Sequence, residues 1–269
     1  MDIPNLEELK AFTKELAEAS GELIMRYWNA DSYEIERKAD TTPVTEADHE
    51  AECLMRAMIK ERYPEHGIIA EEFGNENEDA DFVWVLDPID GTKSFVGHVP
   101  LFGTLIGMLY KNEPAIGCIN QPVLGELVIG DNKTCTLNGE PIKIRPCEKL
   151  KEALLLTTDP IYFTPERELH GLAALSQKVY LNRAWGDCYG YLLVASGKAD
   201  FMLDPEMAPW DILPVIPVIR GAGGVITDWQ GNPATVGTTS ALACAPGLHA
   251  EALEILKSKP NRHAHNRDG

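Results

Sequence analysis

The apolar run Phe82-Val83-Trp84-Val85-Leu86 ends in Asp87-Pro88-Ile89-Asp90-Gly91-Thr92, and this join constrains the chain more than any other stretch. Five consecutive apolar residues bounded by turn formers read as a fully buried strand, which demands cover on both faces. Two carboxylates leave the end of that strand together. A Gly-Thr pair follows, then Lys93-Ser94-Phe95, where a helix can begin. Clustered carboxylate oxygens suit hard divalent cations, and the unpaired N–H groups of a helix N-terminus suit a phosphate. Taken alone, the segment is also compatible with an Asx-rich turn that caps a helix.

The remaining pattern supplies that cover. Leu9, Phe12, Leu16, Ala19, Leu23 and Tyr27 recur at steps of three and four, so residues 5–28 read as an amphipathic helix. Ala47, Ala51, Leu54, Met58 and Ile59 repeat the pattern over 46–62, with Thr45 or Asp48 near the start. From Phe102 to Gly130 the chain turns β. Asn138-Gly139 joins Cys135-Thr136-Leu137 to Ile142-Lys143-Ile144 as a hairpin. Beyond a junction at Pro146–Leu150 the signals alternate: a strand at 154–156, helices at 165–178 and 187–197, a strand at 199–203, and a helix from Asp211. Strands at 225–229 and 241–244 and a helix at 247–258 follow. Pro214 is placed in the first turn of the helix from Asp211, and Pro217 is expected to kink or restart it. The expected organisation is an α+β part over 1–147, an α/β part over 148–260, and a frayed polar tail over 261–269.

Charge and cysteine usage narrow the function classes. Lys and Arg number 24 against 42 Asp and Glu, a net charge of −18, which argues against nucleic-acid binding. Six cysteines are scattered without a C-x-x-C pair, as in reduced intracellular proteins rather than disulfide or zinc scaffolds. Met1-Asp2-Ile3-Pro4 resembles no secretory leader, and no apolar stretch reaches membrane-spanning length. A soluble, cytoplasmic protein without membrane or nucleic-acid partners is expected.

Three further acidic positions stand beside Asp87 and Asp90. Glu71-Glu72 follows the short apolar run Ile68-Ile69-Ala70, Asp211 follows Pro209-Trp210, and Asp48 lies in Thr45-Glu46-Ala47-Asp48. Each has a bland reading: solvated acids, an N-cap, and a helix-start carboxylate favoured by the dipole. Together they amount to five dispersed carboxylates and one hydroxyl, which fits a two- or three-magnesium phosphatase.

Ile69-Ala70-Glu71-Glu72, Trp84 to Phe95, and Trp210-Asp211 with Gly221-Ala222-Gly223-Gly224 resemble the motifs of the inositol monophosphatase family, in order and spacing over residues 5 to 258. The resemblance implies the layered αβαβα fold of the lithium-sensitive sugar phosphatases and a homodimer. It implies that Glu71, Asp87 and the Ile89 carbonyl hold one Mg²⁺, that Asp87, Asp90 and Asp211 hold a second, and that Thr92 paired with Asp48 orients the attacking water. The N–H groups of Gly91 and Thr92 would hold the phosphate of a small substrate. Where the family typically has Gly-Ser-Ala, this chain has Gly186-Asp187-Cys188, and Asp204 stands seven residues before Asp211 with Glu206 close by. Asp187, Asp204 and Glu206 near the leaving group suit a cationic alcohol. Gly-Asp-Cys-Tyr, Asp-Gly-Thr-Lys-Ser-Phe and Gly223 to Trp229 resemble the histidinol-phosphate phosphatases of this superfamily. Hydrolysis of L-histidinol phosphate is therefore the expected function, with inositol or another sugar phosphate as the alternative substrate. A catalytically idle binding protein fits less well, since every expected metal carboxylate and Thr92 are retained.

Overall fold

The computed structural model describes residues 3–30, 35–37, 43–159 and 169–258, with the side chains of 35–44 and Leu169 left aside. Two long helices open the chain: α1 (Leu6–Trp28), and α2 (Glu46–Arg62) after a short antiparallel pair, β1 (Ile35–Arg37) with β2 (Pro43–Thr45). A seven-stranded sheet follows in order along one edge: β3 (Gly67–Ala70), β4 (Phe82–Asp90), β5 (Gly103–Tyr110), β6 (Glu113–Gln121), β7 (Glu126–Gly130), β8 (Cys135–Leu137) and β9 (Glu140–Pro141). The five-residue helix α3 (Thr92–Val96) leaves the end of β4.

β4 is covered on both faces, as its unbroken apolar run requires. Trp84 and Leu86 point toward Leu9, Phe12 and Leu16 of α1 and Met55 and Ile59 of α2. Val83 and Val85 point the other way, into a core shared with Leu213, Ile216 and Val218. Those last residues belong to α6 (Pro209–Gly221), which lies across β5, β6 and β7. The approach is close because the sheet has no side chain in the way. A Cβ on Gly117 would stand 1.8 Å from the Pro214 carbonyl oxygen, and one on Gly130 would stand 2.5 Å from Val218 Cα.

A second sheet has strand order β11-β10-β12-β14-β13: β10 (Leu154–Leu156), β11 (Leu181–Arg183), β12 (Phe201–Asp204), β13 (Val225–Thr227) and β14 (Ala241–Cys244). Helices α5 (Asp187–Ala195) and α6 fill the space between the sheets, while α4 (Leu169–Ser176) and α7 (Pro246–Lys257) pack together beyond the second. The layers run helix, sheet, helix, sheet, helix, which is the αβαβα arrangement that the resemblance implied.

Several local expectations change. The Asn138-Gly139 turn forms with positive φ at both residues, as a two-residue primed turn needs, but its second strand is only Glu140–Pro141. Ile142 still donates its N–H to the Cys135 carbonyl at 2.9 Å, but beyond it the chain leaves the sheet and Ile144 donates to the Ala222 carbonyl. The helix of Asp211 begins at Pro209, so Pro214 sits inside it rather than in its first turn. It also continues through Pro217 to Gly221 without a restart. Strand β11 carried no sequence signal strong enough to assign. The helix expected at 165–178 begins, within the described residues, at Leu169, and the tail over 261–269 lies outside them.

Candidate active site

The acids gather at one end of β4 because that strand carries an irregularity. Asp87 pairs with Leu105 and Asp90 with Gly103, so two residues, Pro88 and Ile89, face the single Thr104. Proline has no N–H for the ladder, and Thr104 Oγ1 donates to the Pro88 carbonyl at 2.9 Å. In a regular strand, residues three apart point to opposite faces. The extra residue of a bulge returns Asp90 to the side of Asp87. The parallel pairing of β3 with β4 sets Ala70 against Leu86, and the Glu71 N–H donates to the Leu86 carbonyl at 3.3 Å, so Glu71 stands beside Asp87. Asp211 reaches the same place from the first turn of α6, where its Oδ2 accepts the Ala208 N–H at 2.9 Å.

One carboxylate oxygen each from Asp87, Asp90 and Asp211 lies within 4.8 Å of the others. Asp87 is 2% exposed, and its Oδ1 is buried with no hydrogen-bond partner. Burial raises the Asp87 carboxyl well above the usual carboxylate range, and the neighbouring charges of Glu71, Asp90 and Asp211 raise it further. Asp90 is raised in the same way, by burial and then by Asp187 and Asp211. An orphaned buried oxygen amid mutually repelling carboxylates is what a hard divalent cation would satisfy, so these residues fit the implied Mg²⁺.

The hydroxyl groups are arranged differently from the expectation. Thr92 Oγ1 donates to the Ile89 carbonyl at 3.0 Å rather than pairing with Asp48. Asp48 Oδ2 instead accepts the Thr45 N–H at 2.7 Å and the Thr45 hydroxyl at 2.5 Å. The cause is local: Thr45 is the N-cap of α2 and Asp48 its third residue, the spacing of a capping box. Asp48 is 1% exposed, and burial pushes its carboxyl up to about 7 against those two hydrogen bonds.

Gly91 caps α3 with a φ of 87°, a conformation glycine adopts without strain. The Asp187 carboxylate lies directly over it, where Oδ2 would be 3.0 Å from an added Cβ. Asp187 itself has a φ of 51°, uncommon for a non-glycine residue and a sign of local constraint. Its N–H donates to Thr158 Oγ1 at 3.0 Å, and the next N–H, of Cys188, is bonded to Asp90 Oδ2. Burial and then the Asp204 charge raise the Asp187 carboxyl to about 7. Asp204 ends β12 and is 5% exposed; it accepts the Thr158 N–H at 3.2 Å and the Tyr191 hydroxyl at 2.9 Å. Glu206 is exposed on the loop between β12 and α6 and joins none of these contacts. Of the three acids expected at the leaving group, Asp187 and Asp204 are therefore brought together and Glu206 is not. Thr45 is expected only near a helix start, and Thr158 and Tyr191 carry no expectation from the sequence. Thr158 did have a signal, since it closes Thr157-Thr158 just past the apolar run of β10, at the carboxyl end of a parallel strand.

The model of the inositol monophosphatase family matches residues 5–261. The chain belongs to that family. It is 44% identical over 264 residues to the bifunctional phosphatase IMPL2, chloroplastic, of Arabidopsis thaliana, a match covering 94% of this chain and 76% of that one. It is 37% identical to a histidinol-phosphatase of Chlorobaculum parvum, over 82% of this chain and 86% of the relative. Among solved structures, an inositol monophosphatase from Zymomonas mobilis superposes with a TM-score of 0.85 at 35% identity, covering 95% of this chain and all of that one. As a member of the family the chain is a phosphatase acting on a small phosphorylated substrate, and the family is metal-dependent, usually with Mg²⁺. Among the described residues no helix is long and apolar enough to cross a membrane.

Proposed function

We propose that the chain is a magnesium-dependent phosphomonoesterase that hydrolyses L-histidinol phosphate to L-histidinol and phosphate, the reaction class of histidine biosynthesis. The observation that carries the substrate is the Asp187–Asp204 pair. The half-buried Asp187 lies against the Gly91 turn and the buried Asp204 joins it through Thr158, outside the Asp87, Asp90 and Asp211 group that would hold metal. Two adjacent acids that raise one another, with Lys93 the cation acting on Asp187, favour a ligand that carries further positive charge, and histidinol has an ammonium and an imidazole. Several curated relatives bear the name histidinol-phosphatase.

In this reading Asp87, Asp90 and Asp211, with Glu71 and the Ile89 carbonyl, hold two or three Mg²⁺. Bound divalent cations neutralise the phosphoryl oxygens and make water acidic enough to attack near neutral pH. The Thr92 hydroxyl spends its proton on Ile89, so its lone pairs are left to accept a hydrogen from the attacking water. Asp48, raised to about 7, is matched to proton transfer near neutrality. The Gly91 and Thr92 N–H groups bind the phosphate, and Asp187 with Asp204 orients the leaving alcohol. A homodimer, on family likeness, and a cytoplasmic location, on the scattered unpaired cysteines, complete the reading.

An inositol or other sugar phosphate is the second reading, favoured by the Zymomonas structure and by a 30%-identical inositol-1-monophosphatase of Synechocystis. Phosphate release from histidinol phosphate, inositol 1-phosphate and glycerol phosphate, with EDTA and with added MgCl₂, separates the readings. Preference for inositol phosphate overturns the substrate, and full activity in EDTA overturns the metal.

A further inference from the structure

Glu71 leads straight into the turn 72–76, and the structure ties that turn to α2. Asp48, Glu52, Arg56 and Lys60 recur at steps of four along α2, so they share one face of the helix. Glu52 is fully buried; its Oε2 accepts the Glu72 N–H at 2.8 Å and its Oε1 the Phe73 N–H at 3.0 Å. Arg56 Nε donates to Glu52 Oε1 at 2.8 Å. The same guanidinium reaches onward to the Gly74 carbonyl and, at 2.8 Å, to Glu76 Oε1. Lys60 Nζ stands 2.8 Å from Glu76 Oε2.

A buried ion pair is a costly way to hold a surface turn, because desolvation of both charges offsets much of their attraction. The turn also closes without it, through the reciprocal N–H to carbonyl bonds of Ile68 and Glu76 at 2.8 Å. What the pair adds is the placement of the backbone immediately after Glu71. On the strand side, the Glu71 N–H makes the longer bond to the Leu86 carbonyl at 3.3 Å.

We propose that Glu52 and Arg56 are positioning residues for metal binding: they fix the turn that aims Glu71 at the Asp87 group. Glu52 holds the N–H groups of the two residues after Glu71, and Arg56 holds the Glu52 carboxylate in place. Without the guanidinium fork, Glu52 is an uncompensated buried charge. The carboxylate then turns toward water, its bonds to Glu72 and Phe73 weaken, and Glu71 loses its fixed direction. Outer partners of metal ligands typically set affinity by about 10–100-fold.

The inference rests on Glu71 being a metal ligand, and it is independent of the substrate. Its test is calorimetric titration of MgCl₂ into EDTA-stripped, dialysed full-length protein, comparing wild type with Arg56→Gln and Arg56→Lys, with Tm measured alongside. Arg56→Gln is expected to raise the magnesium dissociation constant about 10–100-fold. Arg56→Lys keeps a positive charge beside Glu52 but loses the fork, and is expected to give a smaller rise of several-fold. Should Arg56→Gln fail to fold, the lysine variant decides. Either folded variant binding magnesium as tightly as wild type, even with a lowered Tm, reduces the pair to a structural role and overturns the inference. Wild-type protein that takes up no magnesium instead overturns the metal reading on which it rests.

Discussion

Replacing Asp87 by asparagine should stabilise the metal-free protein and at the same time end its response to magnesium. Like unit charges 4.8 Å apart, the spacing bounding the Asp87, Asp90 and Asp211 oxygens, repel by about 3.5 kcal/mol at an effective dielectric near 20. The protein escapes part of this by retaining protons, which is why burial and its neighbours raise Asp87 so far. Keeping a proton at pH 7 on a carboxyl of ordinary pKa costs about 4 kcal/mol, so the repulsion relieved is capped near that figure. The asparagine amide also brings donors to a place where Asp87 Oδ1 has no partner and Asp211 offers an acceptor. Against these gains stands the desolvation of one more polar N–H. A net gain of about 1–3 kcal/mol follows, or roughly 2–5 °C in Tm for a chain of this size. The assay is thermal unfolding at pH 7, first in EDTA and then in MgCl₂. Wild type at a thousandfold excess over its dissociation constant gains about 4.1 kcal/mol, and the variant gains nothing, so the order of the two melting curves reverses. A variant less stable than wild type in EDTA would refute the electrostatic reasoning. A variant that keeps the full magnesium shift would refute Asp87 as a metal ligand.

The same charges give the metal-free wild type a distinctive pH dependence. Asp87, Asp90 and Asp211 hold protons in the folded state that the unfolded chain releases near its ordinary carboxylate pKa, so stability is full below that value. It is lost as pH rises through the folded values, for Asp211 about 7, so Tm in EDTA should fall between pH 5.5 and pH 8; a rise over that window contradicts it. Thr92→Ala should lower kcat by about 10²–10⁴-fold with little change in KM, and wild-type turnover removes Thr92 from the water-orienting role. Asp187→Asn should raise KM for histidinol phosphate about 10–100-fold, the equivalent of about 1.5–3 kcal/mol for a lost charged hydrogen bond, while sparing glycerol phosphate. Glu206→Gln should leave KM unchanged, because Glu206 is exposed and apart from the pair; a shift as large as that of Asp187→Asn restores it to the site.

How much could be read from the sequence depended on how far apart the partners lie along the chain. The end of β4 was legible because strand, proline, two acids and glycine are contiguous, and the bulge follows from Pro88 itself. Asp187 and Asp204 were reached through the family pattern. Thr158, which holds both in place, was not, because it lies 29 residues from one and 46 from the other. Glu52 was passed over for a similar reason. On a helical wheel it is one more acid among solvated ones, and only the return of the chain at Glu72, 20 residues on, buries it. Asp48 shows the opposite case: the resemblance pairs it with the distant Thr92, whereas its bonded partner is Thr45, three residues away, and Thr-x-x-Asp at a helix start is the signature of a reciprocal cap.

The distribution of these acids over the elements explains how a chain of net charge −18 concentrates negative charge at one place and still folds. Asp48 is the third residue of α2, Asp211 the third of α6, and Asp187 the first of α5. Helix N-termini carry partial positive charge from unpaired N–H groups, each favouring a nearby carboxylate by about 0.3–1 kcal/mol, more where partly buried. The hydrogen bonds make that contribution concrete: Thr45 N–H to Asp48, Ala208 N–H to Asp211, and Cys188 N–H of α5 reaching across to Asp90. Asp87 has no such bond to its Oδ1 and comes from a strand end, where the backbone offers no comparable field. The helices therefore offset the repulsion for the peripheral acids, and the central one is left for a cation. That asymmetry makes Asp87, rather than Asp211 or Asp90, the position where an amide should separate stability from metal binding most sharply.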